Sequence, residues 1–204
     1  MPVCAACSVF RPISDVVVAP LHIEAGWLTG VRRLPSPNWD ARPAGTAVDT
    51  LVVHGITLPP GCFGHGQVDA LFSNRLVPAA HPFYRRIADL RVSAHALIER
   101  TGRITQYVAF DARAWHAGRS RFDGRDAVND FGVGVELEGT DDCPYSPAQY
   151  RALGAVAGSL LRAYPELTSA RIVGHSDIAP GRKTDPGPAF DWALFRRLLE
   201  SSCI

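Results

Sequence analysis

Two histidines each follow an apolar run of the kind that forms a buried β-strand. His54 comes directly after Leu51-Val52-Val53, and His175 comes directly after Ile172-Val173-Gly174. The ends of buried strands are rigid, and they are common positions for ligand-binding and catalytic side chains. A single histidine there is more often a structural residue with satisfied hydrogen bonds, so this pair needs support from other residues.

The segment that follows His175 contains further side chains that bind metals or carry charge. Lys183 and Asp185 are two positions apart, so an extended backbone points both side chains in the same direction. A catalytic zinc site usually has three protein ligands and a water, and two histidines with a carboxylate form a common set. His54, His175 and Asp185 meet that requirement, but their spacing alone does not establish that they converge.

Lys183 is the only lysine in a chain with 21 lysine and arginine residues. A lysine ammonium is compact, whereas an arginine guanidinium is a broad planar fork. The retained lysine therefore hints at a role for a compact positive charge, although chance also explains a single lysine.

One predicted strand carries two candidate catalytic carboxylates. Residues 132–138 read Gly-Val-Gly-Val-Glu-Leu-Glu, and the alternation of a strand places Val133, Val135 and Leu137 on one face. Glu136 and Glu138 share the opposite face, and the pattern does not distinguish between them.

Further elements must position these residues. Residues 94–100 and 104–110 are predicted to form a β-hairpin. Ser146-Pro147-Ala148-Gln149 combines an N-cap, a first-turn proline and a capping-box glutamine, so a helix begins there and runs to about Tyr164. Residues 191–200 are predicted to form a closing helix. These elements predict an α+β fold, a single domain with a mixed β-sheet flanked by α-helices, whose strand order is not predicted.

A long segment with scattered glycine and proline residues, 63–90, lies between the predicted strands. Its apolar residues predict a short helix at 68–72. Long loops in compact domains are often functional, and a closing loop excludes water from an active site. With Gly64 and Gly66 near its start, the segment is expected to act as a mobile lid that gates the substrate.

Composition narrows the class of protein. The formal net charge of the 204 residues is +1, which argues against nucleic acid or an anionic membrane as a partner. No apolar run approaches the roughly 20 residues of a membrane-spanning helix, and residues 1–20 lack the apolar region of an export signal. We therefore expect a cytoplasmic protein with a flexible N-terminal extension at 1–20 and a catalytic domain at 21–204. The chain has five cysteines. This low and odd number does not indicate a disulfide framework.

Eight segments together resemble the AmpD family of amidases, which release peptide from 1,6-anhydro-N-acetylmuramyl peptides during peptidoglycan recycling. The resemblance covers residues 24–200 in unbroken order. It implies the fold of the type-2 amidases and peptidoglycan-recognition proteins, with a mixed sheet flanked by helices. The segments are Leu51-Val52-Val53-His54, Thr57-Leu58-Pro59-Pro60-Gly61, His81-Pro82-Phe83, Arg91-Val92-Ser93-Ala94-His95, Ala114-Trp115-His116-Ala117-Gly118, Asn129-Asp130-Phe131, Glu136-Leu137-Glu138-Gly139-Thr140-Asp141 and residues 175–187.

The resemblance also implies the roles of individual residues. It implies that His54, His175 and Asp185 bind Zn²⁺, that Glu136 is the catalytic carboxylate, and that Lys183 stabilises developing negative charge. The implied substrate is an anhydromuramyl peptide, cleaved at the amide between the lactyl group and L-alanine. Apart from the resemblance, we expect the enzyme to be a monomer. Its removal would lower the muropeptide signal for β-lactamase induction.

Weaker hypotheses concern substrate binding. Trp115 and His116 are candidates for contacts with the sugar and peptide, against a packed tryptophan and a structural histidine. Arg91 is a candidate partner for a carboxylate of the peptide stem, against a surface salt bridge. His95 is expected to pack in the core or to orient a neighbour. Two other functions remain as alternatives: a binding module of the same fold without activity, and a zinc amidase that acts on intact cell wall.

Overall fold

The computed structural model describes residues 21–202. The predicted N-terminal extension at 1–20, with Cys4 and Cys7, lies outside the described residues, as does Cys203. Four α-helices are described: α1 (Gln67–Phe72), α2 (Pro147–Ala163), α3 (His175–Ile178) and α4 (Trp192–Ser202). The described strands are β1 (Ile23–Glu24), β2 (Trp27–Leu28), β3 (Arg32–Arg33), β4 (Trp39–Ala41), β5 (Thr50–Ile56), β6 (Ala96–Ile98), β7 (Ile104–Gln106), β8 (Ala112–Ala114), β9 (Arg121–Phe122), β10 (Arg125–Asp126), β11 (Gly132–Glu138) and β12 (Ile172–Gly174).

The central sheet is mixed, as predicted. Its six strands have the order β12-β5-β11-β6-β7-β3. Strands β12, β5, β11 and β6 run parallel to one another, and β7 runs antiparallel to β6. The three two-stranded sheets β1-β2, β4-β8 and β9-β10 complete the described strands.

The two faces of the sheet pack against different elements. Val133, Val135 and Leu137 of β11 lie on one face, as predicted, in a core cluster that includes Leu153 of α2 and Phe195 of α4. The opposite face carries His54 and Glu136. The two long helices therefore seal one face, and the polar side chains gather on the other.

Helix α2 begins where the sequence predicts. The hydroxyl of Ser146 accepts a hydrogen bond from the backbone nitrogen of Gln149, the Gln149 side chain accepts one from the Ser146 nitrogen, and Pro147 occupies the first turn. These contacts satisfy backbone donors that a helix start leaves open. The helix ends at the cap residue Tyr164.

The hairpin strands are shorter than the predicted 94–100 and 104–110. Strand β7 ends at Gln106 because the backbone nitrogens of Tyr107 and Val108 both donate to the carbonyl of His95, which interrupts the ladder. The alternation of the sequence continues past this point, so the pattern alone overestimates the length of the strand.

Cys62 and Cys143 are disulfide-bonded. The count of cysteines did not indicate this, because a count carries no information about which loops meet.

Among residues 21–202, no helix combines the length and apolar character needed to cross a membrane.

Candidate metal and catalytic site

Parallel strand pairing brings the two histidines to one edge of the sheet. In the register of β5 and β11, His54 lies opposite Glu136. Gly174 pairs with Val53 at the end of β12, so His175 leaves the sheet beside His54. The carboxyl ends of parallel strands lie at the same edge, which is why residues 121 positions apart in the sequence become neighbours.

His54, His175 and Asp185 converge with the spacing of a metal site. The two Nδ1 atoms are 2.9 Å apart. The Oδ2 atom of Asp185 lies 3.0 Å from the Nδ1 of His175 and 3.5 Å from that of His54. Ligand atoms about 2.1 Å from a tetrahedral zinc ion would be roughly 3.4 Å apart. The three side chains therefore fit a zinc ion, and the structure brings together the set predicted from the sequence.

Burial sets the charge states that metal binding requires. Burial lowers the pKa of His54 to about 4, so its imidazole is neutral at pH 7. Burial alone would raise the pKa of Asp185, but hydrogen bonds with His175 and His54 hold it well below its usual value. A neutral imidazole and an ionised carboxylate are the forms that bind metals.

The loop that carries Asp185 is fixed by close contacts. The backbone nitrogen of Ser176 donates to the Asp185 carbonyl at 3.0 Å, and that of Gly55 donates to Oδ2 at 3.3 Å. The hydroxyl of Tyr145 donates to the carbonyl of Pro186 at 3.0 Å. A Cβ atom on Gly55 would lie 2.6 Å from this hydroxyl oxygen, so the glycine makes room for the anchor of the loop.

The two strand glutamates have different surroundings. Both oxygens of Glu138 accept hydrogen bonds from backbone nitrogens, one from Gly64 and one from Arg100. Glu136 is buried, and its Oε2 has no hydrogen-bond partner among the described residues. Burial, with the nearby Asp185 carboxylate, raises the pKa of Glu136 well above its usual value, and the charge of Lys183 opposes this shift. Glu136 is thus the carboxylate that is available for chemistry.

The side chain of Lys183 is exposed. Its backbone nitrogen donates to the carbonyl of Ala179 at 3.0 Å. Its positive charge contributes to lowering the pKa values of both His54 and Glu136. The ammonium therefore acts electrostatically on the same space as the metal ligands and the carboxylate.

The candidate substrate residues lie in three different environments. The indole nitrogen of Trp115 donates to Asp40 at 3.2 Å, and the side chain is partly buried. Arg91 is exposed, and its guanidinium donates to the carbonyl of Ala88 at 3.4 Å. His116 contacts His54, with 2.9 Å between Nδ1 of His116 and Nε2 of His54.

His95 packs in the core, as predicted. It is fully buried, its Nδ1 accepts from the Gly134 nitrogen at 3.0 Å, and its Nε2 lies 3.1 Å from the Ala112 carbonyl. Burial, together with the charge of Arg42, lowers the pKa of His95 to about 3.

The segment at 63–90 is partly folded against the domain. It contains the predicted short helix, found at Gln67–Phe72, whose Val68, Leu71 and Phe72 pack in a core cluster with Leu76. Two 3-10 turns follow, at Pro78–Ala80 and Tyr84–Arg86. The gating role of this segment stays a prediction.

Sequence reasoning missed the residues that contact the histidines from the other side. The Ala117 carbonyl contacts the ring of His175, and the side-chain amide of Asn129 contacts the backbone nitrogen of His116, whose ring contacts His54. Neither residue type carries a chemical signal of its own, so only the tertiary arrangement identifies them.

Comparison with known proteins is consistent with this arrangement. Residues 44–188 match the family model described as N-acetylmuramoyl-L-alanine amidase. The 1,6-anhydro-N-acetylmuramyl-L-alanine amidase AmpD of Escherichia coli K12 is 57% identical over 177 residues, which cover 87% of this chain and 96% of the relative.

Solved structures show the same fold. A selenomethionine derivative of AmpD superposes with a TM-score of 0.85 at 54% identity, covering 87% of this chain and 98% of that one. AmpDh3 of Pseudomonas aeruginosa, solved in complex with an anhydromuramic pentapeptide, has a TM-score of 0.56 at 32% identity, covering 76% of this chain and 61% of that one.

Proposed function

The chain belongs to the N-acetylmuramoyl-L-alanine amidase family, and on that premise we propose that it is a zinc enzyme acting on 1,6-anhydro-N-acetylmuramyl peptides. The bond cleaved is the amide between the lactyl group and L-alanine. The observation that carries the proposal is the convergence of His54, His175 and Asp185 near Glu136, whose buried Oε2 atom has no hydrogen-bond partner in the described part of the chain.

His54, His175 and Asp185 are the residues that would hold the metal. Bound zinc supplies Lewis acidity that activates water and polarises the amide carbonyl. The burial of both histidines and the three donor distances support this assignment.

Glu136 takes the proton of the attacking water and delivers it to the departing amine nitrogen. Its raised pKa makes it a stronger base than an exposed glutamate, and its free Oε2 atom is not committed to a structural hydrogen bond. The products are a lactyl carboxylate on the sugar and a peptide with a free L-alanine amino group.

Lys183 stabilises the negative charge that develops on the carbonyl oxygen during attack. Its exposed side chain and its electrostatic effect on His54 and Glu136 support this role. A preorganised cation at a developing charge is usually a large contribution to catalysis.

The choice of substrate is supported by relatives. The E. coli relative is named as an amidase of 1,6-anhydro-N-acetylmuramyl-L-alanine, and the P. aeruginosa relative binds an anhydromuramic pentapeptide. Arg91 and Trp115 are proposed contacts for the peptide stem and the sugar. A cytoplasmic monomer, an amidase domain spanning 21–204, and an effect on β-lactamase induction through the muropeptide pool stay predictions.

The test is incubation of the purified protein with anhydromuramyl tripeptide, with and without a metal chelator, followed by mass spectrometry. The expected products are anhydromuramic acid and free tripeptide, formed only without chelator and restored by added zinc. An intact substrate in every arm, or cleavage that the chelator leaves unchanged, would contradict the proposal.

A further inference from the structure

His116 and Ala117 contact both candidate metal-binding histidines from the side opposite the metal-facing nitrogens. The Nδ1 atoms of His54 and His175 face each other and Asp185. The Nε2 atom of His54 lies 2.9 Å from Nδ1 of His116, and the Nε2 atom of His175 lies 3.3 Å from the carbonyl oxygen of Ala117. Two adjacent residues therefore each contact one imidazole, His116 at Nε2 of His54 and Ala117 at Nε2 of His175.

We propose that His116 and Ala117, held by Asn129, form a brace that sets the tautomer and ring orientation of both metal-binding histidines. This inference rests on the metal site of the proposed function. It makes His116 and Asn129 positioning residues, and the expected substrate contact of His116 stays a separate prediction.

The tautomers follow from the chemistry of imidazole. A nitrogen that donates its lone pair to a metal carries no hydrogen, so the other nitrogen carries one and donates it. His54 then donates from Nε2 to Nδ1 of His116, and His175 donates from Nε2 to the Ala117 carbonyl. Such outer hydrogen bonds orient metal-binding histidines and increase their basicity.

This assignment leaves one nitrogen of His116 unpaired. If Nδ1 of His116 accepts from His54, its hydrogen is on Nε2, and that atom is buried without a partner among the described residues. An unpaired buried donor is unfavourable. The orientation of this ring therefore serves His54 rather than the hydrogen bonding of His116 itself.

The brace is held by a single amide oxygen. Oδ1 of Asn129 accepts from the backbone nitrogen of His116 at 3.1 Å and from that of Ala117 at 2.8 Å. The Asn129 carbonyl in turn accepts from the partly buried Arg42 guanidinium at 3.0 Å. One side chain thereby fixes both contacts to the histidines.

Strand β11 is shaped to admit the ring. A Cβ atom on Gly134 would lie 2.4 Å from Cγ of His116, which is closer than packed atoms approach. Any side chain at this position would displace His116 from His54.

The test measures zinc affinity of the metal-free protein by competition with a chromogenic chelator. His116→Asn keeps a hydrogen-bond acceptor directly bonded to Cγ, because Oδ1 of asparagine occupies the place of Nδ1 of histidine. His116→Gln places the acceptor, Oε1, one bond further from the backbone. His116→Ala and His116→Gln are expected to weaken zinc binding about 10–100-fold, the usual loss for such outer contacts. His116→Asn is expected to stay within a few-fold of wild type.

A second pair of variants tests the support. Asn129→Ala removes the acceptor for both backbone nitrogens, and Asn129→Asp keeps it. Asn129→Ala is expected to weaken zinc binding about tenfold or more, with Asn129→Asp closer to wild type. His22→Ala is the matched control for loss of an imidazole, because His22 is exposed and far from the site in sequence.

A spectroscopic measurement separates positioning from general destabilisation. The d–d absorption of the cobalt-substituted protein reports ligand geometry, and it should change for His116→Gln and Asn129→Ala but not for His116→Asn. Thermal midpoints of the metal-free variants identify any that misfold, and the asparagine and glutamine variants keep the volume of the site occupied.

The outcomes distinguish the two proposals. If wild type binds no zinc, the proposed function fails. If wild type binds zinc and the His116→Gln and Asn129→Ala variants bind it as tightly, with unchanged cobalt spectra, the brace is overturned and the metal site remains.

Discussion

The protein contains two largely buried clusters of polar side chains next to the same sheet, and their hydrogen bonding differs. The first consists of Arg42 and His95. Both nitrogens of His95 have partners, in the Gly134 nitrogen and the Ala112 carbonyl. The guanidinium of Arg42 donates to four backbone carbonyls, those of Phe110, Asn129, Asp130 and Gly132.

The second cluster consists of His54, His175, Asp185 and Glu136. Here two Nδ1 atoms and one carboxylate oxygen form three close pairs, 2.9 to 3.5 Å apart. Two neutral imidazoles, with one hydrogen each, cannot supply a hydrogen bond to all three pairs. Oε2 of Glu136 has no partner among the described residues.

This difference in hydrogen bonding indicates that the first cluster is structural and the second is functional. A buried polar cluster that only supports the fold closes all its hydrogen bonds, because each open one costs stability. A cluster that binds a metal and moves protons keeps lone pairs open for those tasks. The following predictions test whether the open cluster is functional and the closed one structural.

The largest effect is expected for loss of a ligand in the open cluster. His175→Ala should abolish near-stoichiometric zinc binding and with it the amidase activity, because three protein ligands are the usual minimum for a catalytic zinc site. Elemental analysis and product formation measure both. Full activity in a metal-free preparation would contradict the assignment.

Next, the two glutamates of β11 should separate. Glu136→Gln should lower kcat by roughly 10² to 10⁴-fold with zinc retained, because it removes the general base. Glu138→Gln is the matched control on the same strand face, and it should change thermal stability more than kcat, because both oxygens of Glu138 bind backbone nitrogens. Equal losses of kcat would contradict the different roles of the two glutamates.

Lys183→Arg should follow with a loss of about 10²-fold in kcat, the scale seen when one oxyanion donor is misplaced. The charge is kept, but a planar fork does not place it where a compact ammonium does. KM and zinc content should change little. The exposed Arg121 provides the control substitution to lysine, and near wild-type kcat in Lys183→Arg would exclude the proposed role.

In the closed cluster the effect should appear in stability. Arg42→Met should lower the free energy of unfolding by at least about 3 kcal/mol, because several buried carbonyls lose their donor. Urea unfolding of the metal-free protein measures this. A change below about 1 kcal/mol would show that water can donate to these carbonyls in place of the guanidinium. The hydrogen bonds of Arg42 would then contribute little to stability.

The last prediction concerns the pH dependence of stability. The pKa of His95 is about 3 in the folded protein and about 6.5 in an unfolded chain. Because the folded value is depressed, the stability it contributes is present above pH 6.5 and lost as pH falls toward 3, at up to about 1.4 kcal/mol per pH unit.

His95→Asn keeps an acceptor for the Gly134 nitrogen and removes the titrating ring. Urea unfolding of the metal-free variant between pH 7 and pH 4 should give a shallower loss of stability than wild type. Parallel curves for the two proteins would show that His95 does not carry this dependence.

Local patterns in the sequence determined much of the framework. The apolar runs before His54 and His175 predicted strands that the structure contains, and the alternation at 132–138 predicted the core face of β11. The capping residues predicted the start of α2. These features depend on neighbours within a few positions, so their physics is visible in the sequence.

Other features were decided only by the tertiary structure. The strand order, the disulfide-bonded state of Cys62 and Cys143, and the contact between His116 and His54 join positions that are distant in the sequence. The residues themselves left the choice between Glu136 and Glu138 open, and only the family resemblance selected Glu136. The structure distinguishes them because two backbone nitrogens from other segments bind Glu138 and leave Glu136 open. The face of a strand follows from its period of two, but the groups that meet that face depend on long-range packing, which no local pattern encodes.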